Sequence, residues 1–372
     1  MVFWSTDSTC PLLLTYFDVF ALRAEIVVIF QSFIFIDHAM VPQVAIPVIT
    51  FVELFLDVIA PFFNLYLIYM LRKQVFHVNL RILLVNFSIA LILLTFTRIF
   101  LTIEALFHHE FLGSFRKPVE VIHDTSVNTI MSIALPVLIE RIAATLMVKR
   151  YEKASCPWVP LLMIAVLWCV NTFDCFHAKD IMDKIFKKEA STGDRIYITC
   201  STSVLFVVNS TAVTIFVVLL IFNIRKFQVN YGVHSLTKRF QMAENIRTSR
   251  QLLKVMLINF VVNCFSCIII FSVTYIDLLE ASEILSQIFD LMCAIAAILL
   301  PCVMIASHPL LSKQSRQHFY KTWDLVRCRK SVMNEEQQLR HAPIQTINRR
   351  SLIVDLKSER EIYFSQLAST WK

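Results

Sequence analysis

Three glycines in 372 residues are too few for most nucleotide and acyl-transfer chemistry. Gly113, Gly193 and Gly232 lie far apart, whereas Walker loops, dinucleotide fingerprints and the G-x-S-x-G elbow each need two or more glycines within a few positions. All of these are excluded by counting. No His-Glu-x-x-His occurs, because His109-Glu110 is followed by Phe111, Leu112 and Gly113. Charge is scarce as well: 17% of the residues are charged, against about 25% in a soluble chain. Hydrophobic residues make up 57% and Phe alone numbers 31, which leaves long charge-poor windows that belong in lipid. Ten cysteines are scattered, several inside apolar runs, and do not form a disulfide framework. Cys264 and Cys267 form a C-x-x-C on an apolar stretch without a second ligand pair, so they read as buried thiols rather than a metal site. No catalytic group, metal, cofactor or nucleic-acid partner is expected.

What is present is a series of seven apolar windows, at 46–71, 80–106, 119–148, 158–176, 196–224, 252–276 and 284–307. Each is long enough to cross a bilayer, allowing for tilt. The glycines fall in the gaps after the second, fourth and fifth windows, where turns want them. Upstream, residues 11–36 are apolar but interrupted by Asp18, Arg23 and Glu25, and the uninterrupted part is short of a span. That stretch lacks the basic leader of a signal peptide. It is expected to stay outside the membrane or lie on it, with an eighth span or a mistaken start site as the alternatives.

Lys and Arg set the orientation. The gaps after the first, third and fifth windows are rich in them, from Arg72 and Lys73 through Lys149 and Arg150 to Arg225 and Lys226. The opposite gaps hold fewer, and the Lys cluster between the fourth and fifth windows is partly offset by acids. The bias puts the first set and the basic tail in the cytoplasm. The expected fold is an all-α membrane protein, a seven-transmembrane helix bundle with its N-terminus outside and its C-terminus cytoplasmic. Residues 1–45 form an extracellular or interfacial segment, 46–307 the bundle, and 308–372 a cytoplasmic tail. Phe319, Trp323 and Val326, with basic residues nearby, suit a short amphipathic helix on the inner leaflet. Cys328 follows it, as a candidate for palmitoylation or a plain free thiol. The sequons at Asn86 and Asn209 lie inside windows and should not be glycosylated.

Ionisable residues in or beside hydrocarbon point to function or to a partner. Glu140 and Arg141 lie near the inner end of the third window, where an acid-Arg pair can hold helices together and release them on activation. Alternatively, Arg141 snorkels to the headgroups and anchors the helix. The loop helix around 234–254 brings Arg239, Arg247, Arg250 and Lys254 near one face, which suits an acidic protein surface, the anionic leaflet, or an ordinary basic loop. In the outer half, Asp57 and Arg98 come to comparable depths on antiparallel neighbours and are expected to pair. Asp124 and Asp290 have no obvious intramembrane cation. With His123 they are candidates for ligand contacts.

Three motifs carry a family resemblance. Glu140-Arg141 followed by Ala144-Thr145 and then Tyr151-Glu152 resembles the third-helix signature of the nematode serpentine receptor class epsilon (Sre) chemoreceptors. The stretch 236–247, L-T-K-R-F-Q-M-A-E-N-I-R, resembles that family's basic-aromatic-Gln run ending in Glu244-Asn245-x-Arg247, and Tyr363-Phe364-x-x-Leu367 with Trp371 is similar to its terminal pattern. The resemblance runs from about Ile46 to the C-terminus. It implies a chemosensory G-protein-coupled receptor in the plasma membrane of sensory neurons, binding a small molecule outside and signalling to a heterotrimeric G protein. Glu140, Arg141, Tyr151, Arg239, Glu244 and Arg247 would then serve coupling or switching. The broader rhodopsin-like pattern is not matched: the third window lacks an outer Cys, the sixth has no Pro, and Leu300-Pro301-Cys302 stands in place of Asn-Pro-x-x-Tyr. The rival reading is a transporter or channel, for which internal repeats or Gly/Pro-broken helices in matching halves are wanted and not seen.

Overall fold

The structure, a computed structural model, describes residues 45–73, 75–107, 112–147, 156–187, 189–229, 236–275 and 279–326. Helix α1 covers Ala45–Leu71 and α2 covers Val78–Phe107. A single 3-10 turn at Gly113–Phe115 leads into two consecutive helices, α3 at Arg116–Ser132 and α4 at Ala134–Leu146. Then come α5 at Trp158–Phe186, α6 at Thr192–Val229, α7 at Leu236–Tyr275, α8 at Leu279–Ser307 and α9 at Pro309–Val326. Seven stretches are long and apolar enough to cross a membrane, with α3 and α4 together making the third. No strand occurs among the described residues. The contacts that follow lie within the compact unit beginning at Ile49.

The seven windows reappear, with three adjustments that have physical causes. The fourth span continues to Ile185 rather than stopping near Phe176. Ile181 and Ile185 are buried against Ile198 of α6 and Val273 of α7, so apolar contact carries the helix past its charged residues. The sixth span starts at Gln241 rather than Leu252, because Met242 and Ile246 are buried there among the polar residues that masked them. The third span is broken at Ile133. Pro136 has no N–H to offer the carbonyl four residues back and its ring crowds that turn, which accounts for the interruption. The segment 1–44, including the expected interfacial stretch 11–36, and everything beyond Val326, including Cys328, lie outside the described residues.

Lipid supplies no hydrogen bonds, so polar side chains in the spans must find partners within the protein. The third span collects them. Asn171 of α5 donates to Thr129 Oγ1 at 3.1 Å and Ser132 Oγ at 3.0 Å, and Asn223 of α6 donates to Thr145 Oγ1 at 3.1 Å. Asn259 of α7 donates to the Ile130 carbonyl at 2.9 Å, just before the break. Elsewhere Asn64 of α1 donates to the Ala297 carbonyl of α8 at 2.9 Å, and Asn86 accepts from the Trp168 indole at 3.0 Å. Large side chains such as Phe55, Phe62 and Phe173 face outward, as a lipid-contacting surface requires. Helix α9 leaves the bundle at His308, and its Tyr66–His318 contact of 3.2 Å ties it back to α1.

One outcome tests this scaffold. Asn259→Ala should lower the stability of the purified protein by roughly 0.5–1.5 kcal/mol, the range for an interhelical hydrogen bond in a membrane. An unchanged melting curve would show that the amide contributes nothing to holding α7 on the third span.

Candidate functional site

Two groups of charges are buried, one toward each end of the bundle. At the end where α1 begins and α2 finishes, Arg98 of α2 donates from Nε to Glu53 Oε1 of α1 at 2.5 Å and reaches Asp290 Oδ2 of α8 at 2.7 Å. Glu53 is completely buried, and Asp57 and Asp290 are 2% and 8% exposed. A charge left alone at this depth costs about 2.5–3.5 kcal/mol or more, so the guanidinium is the reason these acids are tolerated.

This arrangement corrects the expected Asp57–Arg98 pair. Arg98 binds Glu53, one helical turn away from Asp57 on the same face of α1, and takes Asp290 as its second partner. It also corrects the view that Asp290 lacks a cation. Asp57 lies within electrostatic reach of Glu53, Arg98 and Asp290 but makes no hydrogen bond or ion pair among the described residues. Its Oδ2 and the Glu53 Oε2 are buried acceptors without a donor. His123 of α3 feels the Glu53 charge and contacts Asp124 Oδ1 through Nδ1 at 3.2 Å. Asp124 itself is half exposed. Of the three expected ligand contacts, then, Asp290 belongs to the buried group, His123 borders it, and Asp124 turns partly outward.

A second network closes this end. Arg116 contacts Glu120 at 2.9 Å and Glu104 at 3.8 Å, and Glu120 also holds Lys179 of α5. Asp174 accepts from Tyr197 at 2.8 Å and from Ser201 at 3.0 Å, which joins α5 to α6. The eight cysteines among the described residues, including Cys175 and Cys200 on either side of this corner, are all free thiols.

At the opposite end Glu140 and Arg141 are both buried and pair with each other through two contacts, Nε to Oε2 at 2.5 Å and Nη2 to Oε1 at 2.6 Å. Two parallel contacts fix the guanidinium plane on its own helix. Beside them α7 approaches α4, with the Asn245 amide 3.5 Å from the Ala144 carbonyl. Glu244, the residue before, accepts from Arg247 at 2.9 Å and contacts His308 Nε2 at 3.1 Å. His308 is fully buried at the junction of α8 and α9, with its ring against Phe76 at 5.2 Å. Glu244 therefore links the sixth span to the end of the seventh. His308 was not legible as a site residue; its only flag is its place directly before Pro309, which starts α9. Tyr151 and the Arg239 side chain fall outside the described residues. Among the described residues no group of acidic, histidine or cysteine side chains could hold a metal ion.

With this geometry in view, the comparisons can be read. The family model described as Sre G protein-coupled chemoreceptor matches residues 122–372, from within the third span to the last residue. The match begins later than the expected 46, so α1 and α2, with Glu53, Asp57 and Arg98, lie before it. No curated protein matches the chain.

The ion-pair group makes its own prediction. Arg98→Ala strands Glu53 and Asp290 and should cost about 3–5 kcal/mol, enough to remove most of the protein from the cell surface. Adding Glu53→Gln and Asp290→Asn should restore much of it. Surface levels of Arg98→Ala equal to those of the parent would show that the acids do not depend on the guanidinium.

Proposed function

The chain belongs to the Sre family of G protein-coupled chemoreceptors, and from that premise we propose where it senses and where it signals. It is a multi-pass membrane protein of a receptor family, not an enzyme family. In the proposed setting it lies in the plasma membrane of sensory neurons with its N-terminus outside. A small molecule then acts on the end that carries Glu53, Arg98, His123, Asp124 and Asp290, and a heterotrimeric G protein meets the end that carries Glu140 and Arg141.

The observation that carries this reading is the pair of closed charge contacts at the second end. Arg141 is occupied by Glu140 on its own helix, and Glu244 is occupied by His308 and Arg247. The first contact is buried and the second partly buried, so opening the helices there exposes groups that need new partners. A G protein that supplies those partners binds the open packing better than the closed one, and a ligand at the other end that does the same shifts the same equilibrium. Tyr151, Arg239 and Arg247 complete the proposed coupling surface on the strength of the family motifs, and Cys328 is its proposed lipid anchor. The α9 helix fits the inner leaflet, with Phe319 and Trp323 exposed and stacked at 6.0 Å beside Lys321.

Three outcomes test the proposal. Arg141→Ala combined with Glu140→Gln, which avoids stranding a buried carboxylate, should reach the surface normally and fail to activate a G protein; retained signalling would reduce Arg141 to an anchor. Glu244→Gln weakens the contact to His308, and each 1 kcal/mol lost from the closed packing raises the open fraction about fivefold. Basal signalling should rise accordingly, and an unchanged baseline would confine the contact to helix packing. Epitope tags on the two ends of the chain should be accessible at the N-terminus in intact cells and at the C-terminus only after permeabilisation. Two inside termini would point instead to an eighth span in residues 11–36.

A further inference from the structure

The buried group around Arg98 is not balanced. Three carboxylates, Glu53, Asp57 and Asp290, share one guanidinium, and that guanidinium is already committed to Glu53 and Asp290. What remains is Asp57, 98% buried and without a hydrogen bond or ion pair among the described residues, together with the second oxygen of Glu53. Both orphan oxygens come from one face of α1, at positions i and i+4, and Asp57 feels Glu53, Arg98 and Asp290 at once. Buried acceptors of this kind are costly to leave unpaired, and in lipid no water shell relieves them. A bound ammonium supplies the missing donor and the missing positive charge together.

We propose that this group is the recognition site for a small primary or secondary amine, whose ammonium donates hydrogen bonds to Asp57 and Glu53. The inference rests on the receptor reading above and deepens it by naming the ligand class. The chemistry selects among cations. No metal-holding group exists among the described residues, so a bare divalent ion is poorly served. A quaternary ammonium brings charge but no N–H, and would leave both oxygens without a donor. An anionic ligand meets an excess of negative charge and finds the guanidinium occupied.

The surroundings also limit the rest of the molecule. One turn along α8 from Asp290, Cys293 lines a small cavity of about 20 Å³, room for about one water, with Leu91, Leu94, Val127, Ile130 and Asn259. Apart from the Asn259 amide, which is engaged with the third span, these groups are apolar or nearly so. An amine that places its charge among these carboxyl groups has room for only a short hydrocarbon tail on that side. The site is also coupled to the scaffold, because Asn259 holds α7 against the carbonyl beside the break in the third span.

The test measures binding without any G protein. The full chain, purified in lipid nanodiscs at neutral pH, is melted with butylamine, tetramethylammonium or butanol. Butylamine at saturating concentration should raise the Tm by on the order of 2 °C, and tetramethylammonium and butanol should not. Asp57→Asn removes the charge without breaking any existing contact, and should fold while losing the butylamine shift; Glu53→Gln serves as the second variant and should weaken the shift. An equal shift from butanol, no shift from butylamine, or an unaltered shift in Asp57→Asn and Glu53→Gln overturns the proposal. A chain that ignores amines yet loses G-protein activation on substitution of Arg141 overturns this inference alone and leaves the receptor reading standing.

Discussion

Inside a bilayer every polar group must find its partner within the protein, and the whole arrangement described above follows from that constraint. The spans have glycine only at their ends, Gly113 and Gly193, so they do not pack through the close glycine contacts common among membrane helices. Their specificity comes instead from asparagine. Asn171, Asn223 and Asn259 each donate to the third span from a different neighbour, which makes that span the common acceptor of the bundle. Hydrocarbon contact alone does not choose among helix faces of similar apolarity. A donor that must reach a particular oxygen does.

The same constraint treats charges more severely. Arg98 is the cation that makes Glu53 and Asp290 tolerable, and it pins α1, α2 and α8 at one depth. At the other end, Glu140 and Arg141 contact each other along one helix, while Glu244 and His308 join two. The bundle thus has a firm knot near the start of α1, where one guanidinium ties three helices together.

The seven spans were legible because apolar length is a robust signal, and the family was legible because Glu140-Arg141 and Glu244-Asn245-x-Arg247 stand at recognisable distances from the spans they border. Partners were less legible. Counting residues from a helix end locates depth only to about a turn, and Glu53 and Asp57 are one turn apart on the same face, so the wrong acid was paired with Arg98. Asp290 was missed as its second partner because the rotation of α8 about its own axis is set by packing against α1, as through Asn64 and the Ala297 carbonyl. The helix extensions at Ile181 and at Met242 were hidden by charged neighbours that lie outside the apolar core. The break at Ile133 was there to be read in Pro136, but other spans carry Pro61 and Pro301 without interruption.

That break gives the third span a seam. On one side of it, α3 carries His123 and Asp124; on the other, α4 carries Glu140 and Arg141 in the company of Ala144 and Thr145. A continuous helix carries any insertion or twist along its whole length as a change of register, so altering its upper part rotates its lower part out of place. A span already interrupted at Ile133 absorbs such a change at the joint. A chain jointed this way can change the α3 part of the span while the α4 part keeps its bearings.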